Sequence, residues 1–361
     1  MVKPMKKIPF QRSLPKGVFT LLCAFACIAG ALSSHAADSS WNVDAAGNWS
    51  TAGSWTAGVP GSTSILTSAD IATFSNTLTA ARTVTVDANR NIGGITFGNT
   101  STFGFTLSSG NLLLTNGGVI QNLSGTGNHT DTISSAITIQ GNGGSATFTA
   151  NATSGTSLLS IANVSGVSTA GNTTTLNLNG SNTATGNVVG NLTNGSSGGK
   201  LAIVKSGAGT WSLGSANTLN TFTGGITINA GTLRAGTASG GQALGSANAI
   251  TLANTAGAIL VLSVANTSQT IGSLAGGGTT GGNVTLANSI VLTLGLDNTN
   301  TSFAGVISGG TGAIIKTGTG TQTLTGTNTY TGNTRINLGT LALDFNGATA
   351  PATNVISRAL R

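Results

Sequence analysis

Residues 314–341 read IIKTGTGTQTLTGTNTYTGNTRINLGTL, and residues 203–233 read IVKSGAGTWSLGSANTLNTFTGGITINAGTL. Allowing three extra residues in the earlier copy, Lys205 falls on Lys316, Gly207 and Gly209 on Gly318 and Gly320, Leu213 on Leu324, and Asn217 on Asn328. Phe222-Thr223-Gly224 then meets Tyr330-Thr331-Gly332, and the run Ile228 to Leu233 meets Ile336 to Leu341. Two copies of so ordered a pattern are an internal repeat. Gly-x-Gly-Thr supplies turn positions that tolerate positive φ, and the residues after it alternate polar and apolar, as a strand with one buried face requires. Such a unit cannot bury its apolar face alone. Stacked on its neighbours it forms a solenoid of strands.

The spaced signature Lys-x-Gly-x-Gly-x-x-x-Leu-x-Gly-x-Asn-x-Tyr-x-Gly, followed by Ile-Asn-x-Gly-Thr-Leu, resembles the autotransporter-associated β-strand repeat, also called the passenger-associated transport repeat. The segment Ser302 to Gly309 resembles the lead-in that accompanies it. The resemblance covers about residues 200–345. It implies a passenger domain: a single right-handed parallel β-helix carried to the bacterial surface. It also implies that folding coil by coil outside the cell biases movement outward, with inward Ile228 and Ile336 among the residues that fix the stack.

Working outward from the repeats, the amino-terminal end reads differently. Lys3, Lys6, Lys7, Arg12 and Lys16 make a basic segment, Val18 to Leu32 is apolar, and Ser34-His35-Ala36 offers small residues at a cleavage site. Residues 1–36 are therefore expected to be a cleaved signal peptide, the apolar run being short for a span of about 20 residues. Of 14 Lys and Arg, 5 lie in that segment, leaving 14 − 5 = 9 against 7 Asp and no Glu. The mature chain is then close to neutral, and no nucleic-acid partner is expected. Cys23 and Cys27 both lie in the apolar run, so no disulfide is expected and stability falls to burial and the hydrogen-bond ladder. Lipid attachment at Cys27 is disfavoured by the bulky Phe25.

Only 6% of residues are charged, yet 39% are hydrophobic, which argues against disorder. With β-branched residues in alternating runs and hardly a helix-period segment, the chain is expected to be all-β. Residues 37–80 hold Trp41, Trp49 and Trp55. These could form a platform for sugar rings, but a solenoid needs a terminal cap, and the cap is the preferred reading. Residues 81–361 are expected to be the β-helix passenger, with strand signals at Thr83 to Val86, Ile95 to Phe97, Ile137 to Ile139, Leu176 to Asn179, Ile250 to Leu252, Val284 to Leu286 and Leu292 to Leu294. Coils of about 20 to 25 residues give roughly 13 to 16 turns. The Asn and Thr excess is expected to form polar ladders between coils. Residues 180–200, rich in Ser, Asn and Gly, read as a loop, either a protruding insertion between coils where a binding surface could sit or merely flexible coil, and the sequence does not choose between them.

Catalytic residues, metal ligands and cofactors are not expected. After cleavage His129 is the one histidine, and although Asp131 and Ser124 lie close in sequence, Asn-His-Thr-Asp among glycines reads as a solvated turn. Asp70, Asp87 and Asp131 are far apart, there is no Cys or His pair, and no calcium-binding glycine repeat occurs. The glycine motifs open strands rather than a helix, which removes a phosphate loop. Lys205 and Lys316 read as turn caps of the repeat. The expected function is thus a structural or adhesive surface passenger without catalysis, its ligand a surface carbohydrate, host or matrix component. The competing function is a carbohydrate-binding or polysaccharide-cleaving β-helix, which would gather Asp, Glu, Lys or Arg on one face of adjacent coils. The family's outer-membrane translocator, a barrel of about 12 strands, is not visible in the sequence. The chain therefore reads as part of a longer protein.

Overall fold

The structure is a computed structural model. It describes residues 38–344 apart from 65–66, 141–145, 154, 168, 215–219, 237–241, 246 and 263–267, with backbone alone at 146–148. The expected signal peptide, both cysteines, Asn217 of the repeat and the chain after 344 lie outside the described residues. Those described belong to one compact unit. Its elements are short strands and a single 3-10 turn at Ala52–Ser54, and no helix among them is long and apolar enough to cross a membrane.

The strands pair in parallel with strands one coil away. One ladder can be followed through partners Ser39, Ala72, Ile95, Ile120, Ala150, Leu178, Lys205, Ile228, Leu252, Gly276, Phe303, Leu324 and Leu343. A second runs through Gly47, Val84, Leu107, Ile133, Ile161, Val189, Leu213 and Ala235 and continues from Leu233 to Leu260, Val284 and Ile307. A third holds Asn91, Leu113, Thr138, Ser165 and Thr193 and, further along the chain, Gln269, Leu292, Ile314 and Thr334. The chain is thus a parallel β-solenoid. Every strand signal read from the sequence falls on one of these strands, save Val86, which lies just past the strand Arg82–Thr85.

Over the described residues the coils are fewer than the roughly 13 to 16 of the spacing estimate. The first ladder climbs in twelve steps, the largest 72 − 39 = 33 residues and the smallest 343 − 324 = 19. From Thr210 onward the strands are two to four residues long, whereas Asn111–Asn122 and Thr130–Gln140 run to 12 and 11 residues, and turns of variable length join them.

Why these residues stack is plain from the strands themselves. Asn283–Leu286, Val291–Leu294 and Thr321–Leu324 each alternate half-buried and buried positions. Because partners are in register, inward side chains form columns: Ile95, Ile120, Ala150, Leu178, Ile228 and Leu252 are at most 1% exposed. Each such Leu or Ile contributes about 1.5–3 kcal/mol by leaving water. A shift of one residue would turn the whole column outward, so the columns hold the register.

Polar residues mainly serve the corners. Some stack on their own kind as expected: Asn111 donates to Asn89 Oδ1 at 2.9 Å, Asn191 to Asn163, and Thr138 meets Ser165 at 3.0 Å. More often an asparagine carboxamide takes a backbone N–H of the neighbouring coil. Asn187 accepts from Leu159, Asn220 from Leu192, Asn248 from Gly225, Asn328 from Ile307 and Asn300 from Thr321, at 2.7–3.0 Å. At a corner the backbone turns out of the ladder. Its N–H groups still need acceptors, and the short Asn amide supplies them.

Residues 180–200 are a coil of the stack and not a protruding loop. Val188–Val189 and Leu192–Thr193 pair with the strand Leu158–Ser165, and Val189, Leu192 and Asn187 are fully buried. Strands of two residues are too short to announce themselves by alternation, and the coil beneath supplies their partners. At the amino-terminal end, Trp41, Trp49 and Trp55 are buried around Phe74, with ring centroids 5.1–6.3 Å apart, and Phe74 in turn packs on Phe97 and Phe105. Trp49 Nε1 donates to Pro60 O and Trp55 Nε1 to Trp49 O. No indole face is open for a sugar.

Candidate functional site

The two repeats build the same local structure. Lys200–Lys205 leads to Thr210–Leu213, then Ile226–Ile228 and Thr232–Ala235; Ala313–Lys316 leads to Thr321–Leu324, then Thr334–Ile336 and Thr340–Leu343. Lys205 stands in the inward column between Leu178 and Ile228, and Lys316 between Leu294 and Ile336. Both lysines are buried, at 0% and 1% exposure. Lys205 Nζ donates to Gly207 O and, at 3.1 Å, to Ala230 O of the following coil. Lys316 Nζ donates to Thr317 O, to Gly318 O at 2.9 Å and to Leu338 O of the following coil at 3.3 Å. Gly207 matches Gly318 and Ala230 matches Leu338 in the repeat, so the carbonyl shell is itself repeated. The glycines that follow, Gly231 and Gly339, take φ of 65° and 74°, and a Cβ on either would sit 2.3 Å from the carbonyl of Gly207 or Gly318. Burial lowers Lys205 to about 8. It lowers Lys316 as well, against the charge of Asp297, which raises it.

The expectation that these lysines are turn caps is met in part, for each also reaches into the next coil. The two repeats also lie on different ladders: Lys205 on the first, Lys316 on the third. The equivalent strands Thr210–Leu213 and Thr321–Leu324 fall likewise on the second and the first.

A second concentration of chemistry surrounds His129, and it corrects the reading of a solvated turn. His129, Asp131 and Ser124 are all buried. Asp131 Oδ1 accepts from the Phe105 backbone at 2.8 Å, and its Oδ2 accepts from Asn122 at 2.9 Å and from His129 Nε2 at 3.0 Å. His129 Nδ1 faces the Ser101 carbonyl at 2.8 Å and must therefore carry a proton. Burial pushes the imidazole pKa down. The hydrogen bond and charge of Asp131, with the Ser101 and Gly127 carbonyls, outweigh this and leave it above its ordinary value. The imidazolium form can donate on both sides, and the carboxylate is its counter-charge.

The third member of a triad is not Ser124, whose hydroxyl donates to Asn99 O. Ser157 is nearer, with Oγ 3.3 Å from His129 Nδ1, but that hydroxyl donates to Thr126 O at 2.8 Å and the residue is 2% exposed. A nucleophile needs an open approach to its oxygen, and this one is enclosed. Asn99, Asn122 and Ser157 escaped the sequence reading. Asn99 and Ser157 are brought in by the neighbouring coils, 129 − 99 = 30 and 157 − 129 = 28 residues away, while Asn122 lies in the coil of His129 itself, 131 − 122 = 9 residues before Asp131.

Comparison with known proteins bears on the repeats. A family model described as passenger-associated-transport-repeat matches residues 203–235 and 314–343. The chain carries two passenger-associated-transport repeats. It is also 44% identical over 142 residues to the adhesin BmaC autotransporter of Brucella suis biovar 1 (strain 1330), an alignment covering 39% of this chain and 4% of that protein. The chain thus spans a small part of its relative's length. No solved structure matches it.

Outside the transport repeats the carboxylates are held by local partners. Asp70 Oδ2 accepts from the Gly61 N–H at 2.8 Å, Gly61 O accepts from Arg90 at 3.1 Å, and Arg90 is paired with Asp87. The structure therefore brings Asp70 and Asp87 into one network and leaves Asp131 in another. Asp44 pairs with Arg82 at 2.7 Å, and hydrogen bonds from Arg82 and Thr79 hold its carboxyl down at about 2. Among the described residues no group of three or more His, Cys, Asp or Glu is placed to hold a metal ion.

Proposed function

We propose that this chain is a passenger segment of an exported bacterial surface protein, acting as a structural or adhesive rod rather than as an enzyme. The observation that carries this reading is the pair of transport repeats, built alike within a continuous parallel stack. The identity shared with an autotransporter adhesin supports it. What the stack turns outward is mostly hydroxyl and amide: Thr73, Thr96 and Gln121 follow one another on the first ladder, Thr83, Thr106 and Thr132 on the second. Such rows suit contact along an extended surface, with a surface carbohydrate or matrix component as ligand, more than reaction in a cleft. The His129 group, enclosed and internally satisfied, acts as a structural joint. The Trp-rich segment closes the amino-terminal end of the stack, and residues 1–36 direct export.

The test is to join the chain to an outer-membrane translocator barrel in a Gram-negative host. The expected result is protease-accessible passenger at the cell surface and increased adherence to glycan or matrix coatings. A chain retained inside the cell, or one that depolymerises a polysaccharide, would overturn the proposal.

A further inference from the structure

Lys205 and Lys316 are the only two lysines among the fully buried large side chains of the described residues, and they sit at the same place in two separate repeats. Their carbonyl shells have two parts with different histories. Gly207 O, Thr317 O and Gly318 O belong to the lysine's own corner and are present once that coil has formed. Ala230 O and Leu338 O arrive only with the following coil, as do Ile228 and Ile336, which stack directly on the lysines in the ladders. The following coil is also pinned to the lysine's backbone, since Asn229 and Asn337 donate their N–H groups to Lys205 O and Lys316 O at 2.8 Å.

From this geometry we infer that each repeat lysine is a reversible joint of the stack: its ammonium is a hydrated end-cap while the next coil is absent, and docking of that coil dehydrates it and closes the joint. A charge at an incomplete sheet end keeps that end soluble and unavailable for pairing with a wrong strand. Once covered, the same charge is surrounded by neutral carbonyls. A buried polar group of this kind costs stability and favours the one register that offers it an acceptor. The two joints differ. Lys205 makes no ion pair among the described residues, whereas Asp297 faces Lys316 from the preceding coil; Ser181 stands at the matching distance after Leu178. Because the lysines lie on different ladders, the joints open on different faces of the stack. The inference concerns the stack itself and stands whether or not the chain is exported.

The experiment is lysine acylation read by mass spectrometry on the purified chain in increasing urea, with the exposed Lys200 as internal reference. Lys205 and Lys316 are expected to react at least roughly 100-fold more slowly than Lys200 without urea, the factor that about 2.7 kcal/mol of protection gives. They are expected to become reactive at urea concentrations where the far-ultraviolet spectrum is still native. Reactivity that appears only together with global unfolding would overturn the joint. A second readout uses Lys205→Met, which keeps the length and removes the charge. Hydrogen exchange at Asn229 N–H should slow by about tenfold or more while Asn337 N–H, at the other joint, is unchanged. Faster exchange at Asn229 would mean that the ammonium holds the coils together, and would refute the end-cap.

Discussion

Replacing Asp131 by Asn tests the His129 network most directly, because it keeps the volume and removes the charge. Asp131 is fully buried and accepts from Phe105 N–H, Asn122 and His129 at 2.8, 2.9 and 3.0 Å. Breaking a buried pair while leaving the other charge in place costs about 3–5 kcal/mol. Histidine can escape this cost by losing its proton, so the loss depends on pH. In the parent chain the imidazole pKa lies above that of the unfolded chain, so its contribution is fully present below the unfolded value near 6.5 and fades as pH rises through the folded one. In Asp131→Asn only burial and neutral partners remain. The pKa falls below the unfolded value, and the folded state is then weakened as pH drops. The difference between the two chains is therefore expected to be about 3–5 kcal/mol at pH 5. At pH 8 it should shrink to about 1–3 kcal/mol, the cost of the remaining imperfect hydrogen bonds. Since a long stack need not unfold in one step, a local probe is required. Hydrogen exchange at Phe105 N–H, bonded to the carboxylate itself, provides it. A gap no larger at pH 5 than at pH 8 would refute the assignment of charge to His129.

Further outcomes follow from other parts of the stack. Trp49→Ala should cost about 3–5 kcal/mol and lower the urea midpoint of the amino-terminal coils, followed by the emission of Trp41 and Trp55. Ile228→Asp places a charge in a fully buried column and should abolish surface display of a barrel-fused chain. Raising pH should tighten the Lys205 joint. With a folded value of about 8 against an ordinary 10.5, the unfolded chain binds more protons in that interval, so stability rises with pH through it. The gain between pH 7 and 9.5 is about 30-fold in the local equilibrium, measurable as the urea dependence of Lys205 acylation.

The site was less legible than the fold, for a reason visible in particular residues. Lys205 and Lys316 could be paired from the repeat, but their burial could not be read, because a lysine in a strand is ordinarily outward. His129 and Asp131 were visible as neighbours, yet an i, i+2 pair among glycines carries no sign of the coils above and below. Asn99 and Ser157, from those coils, together with Asn122 from before the corner of the same coil, are what convert a polar turn into an enclosed network. The same limit explains residues 180–200: a composition rich in Ser, Asn and Gly marks a loop in an isolated segment, but here the preceding coil provides the ladder.

By itself the sequence determined the all-β class, the stacking of coils and the positions of most strands. Alternation with period two and glycines at turn positions are local consequences of backbone sterics, and a repeated pattern declares that each unit leans on the next. Only the tertiary structure decided how many coils the chain makes, on which ladder each repeat falls, and which polar groups are enclosed. Those depend on corner lengths summed along the chain. A corner can gain or lose several residues at little energetic cost, so that no local pattern records the phase that results.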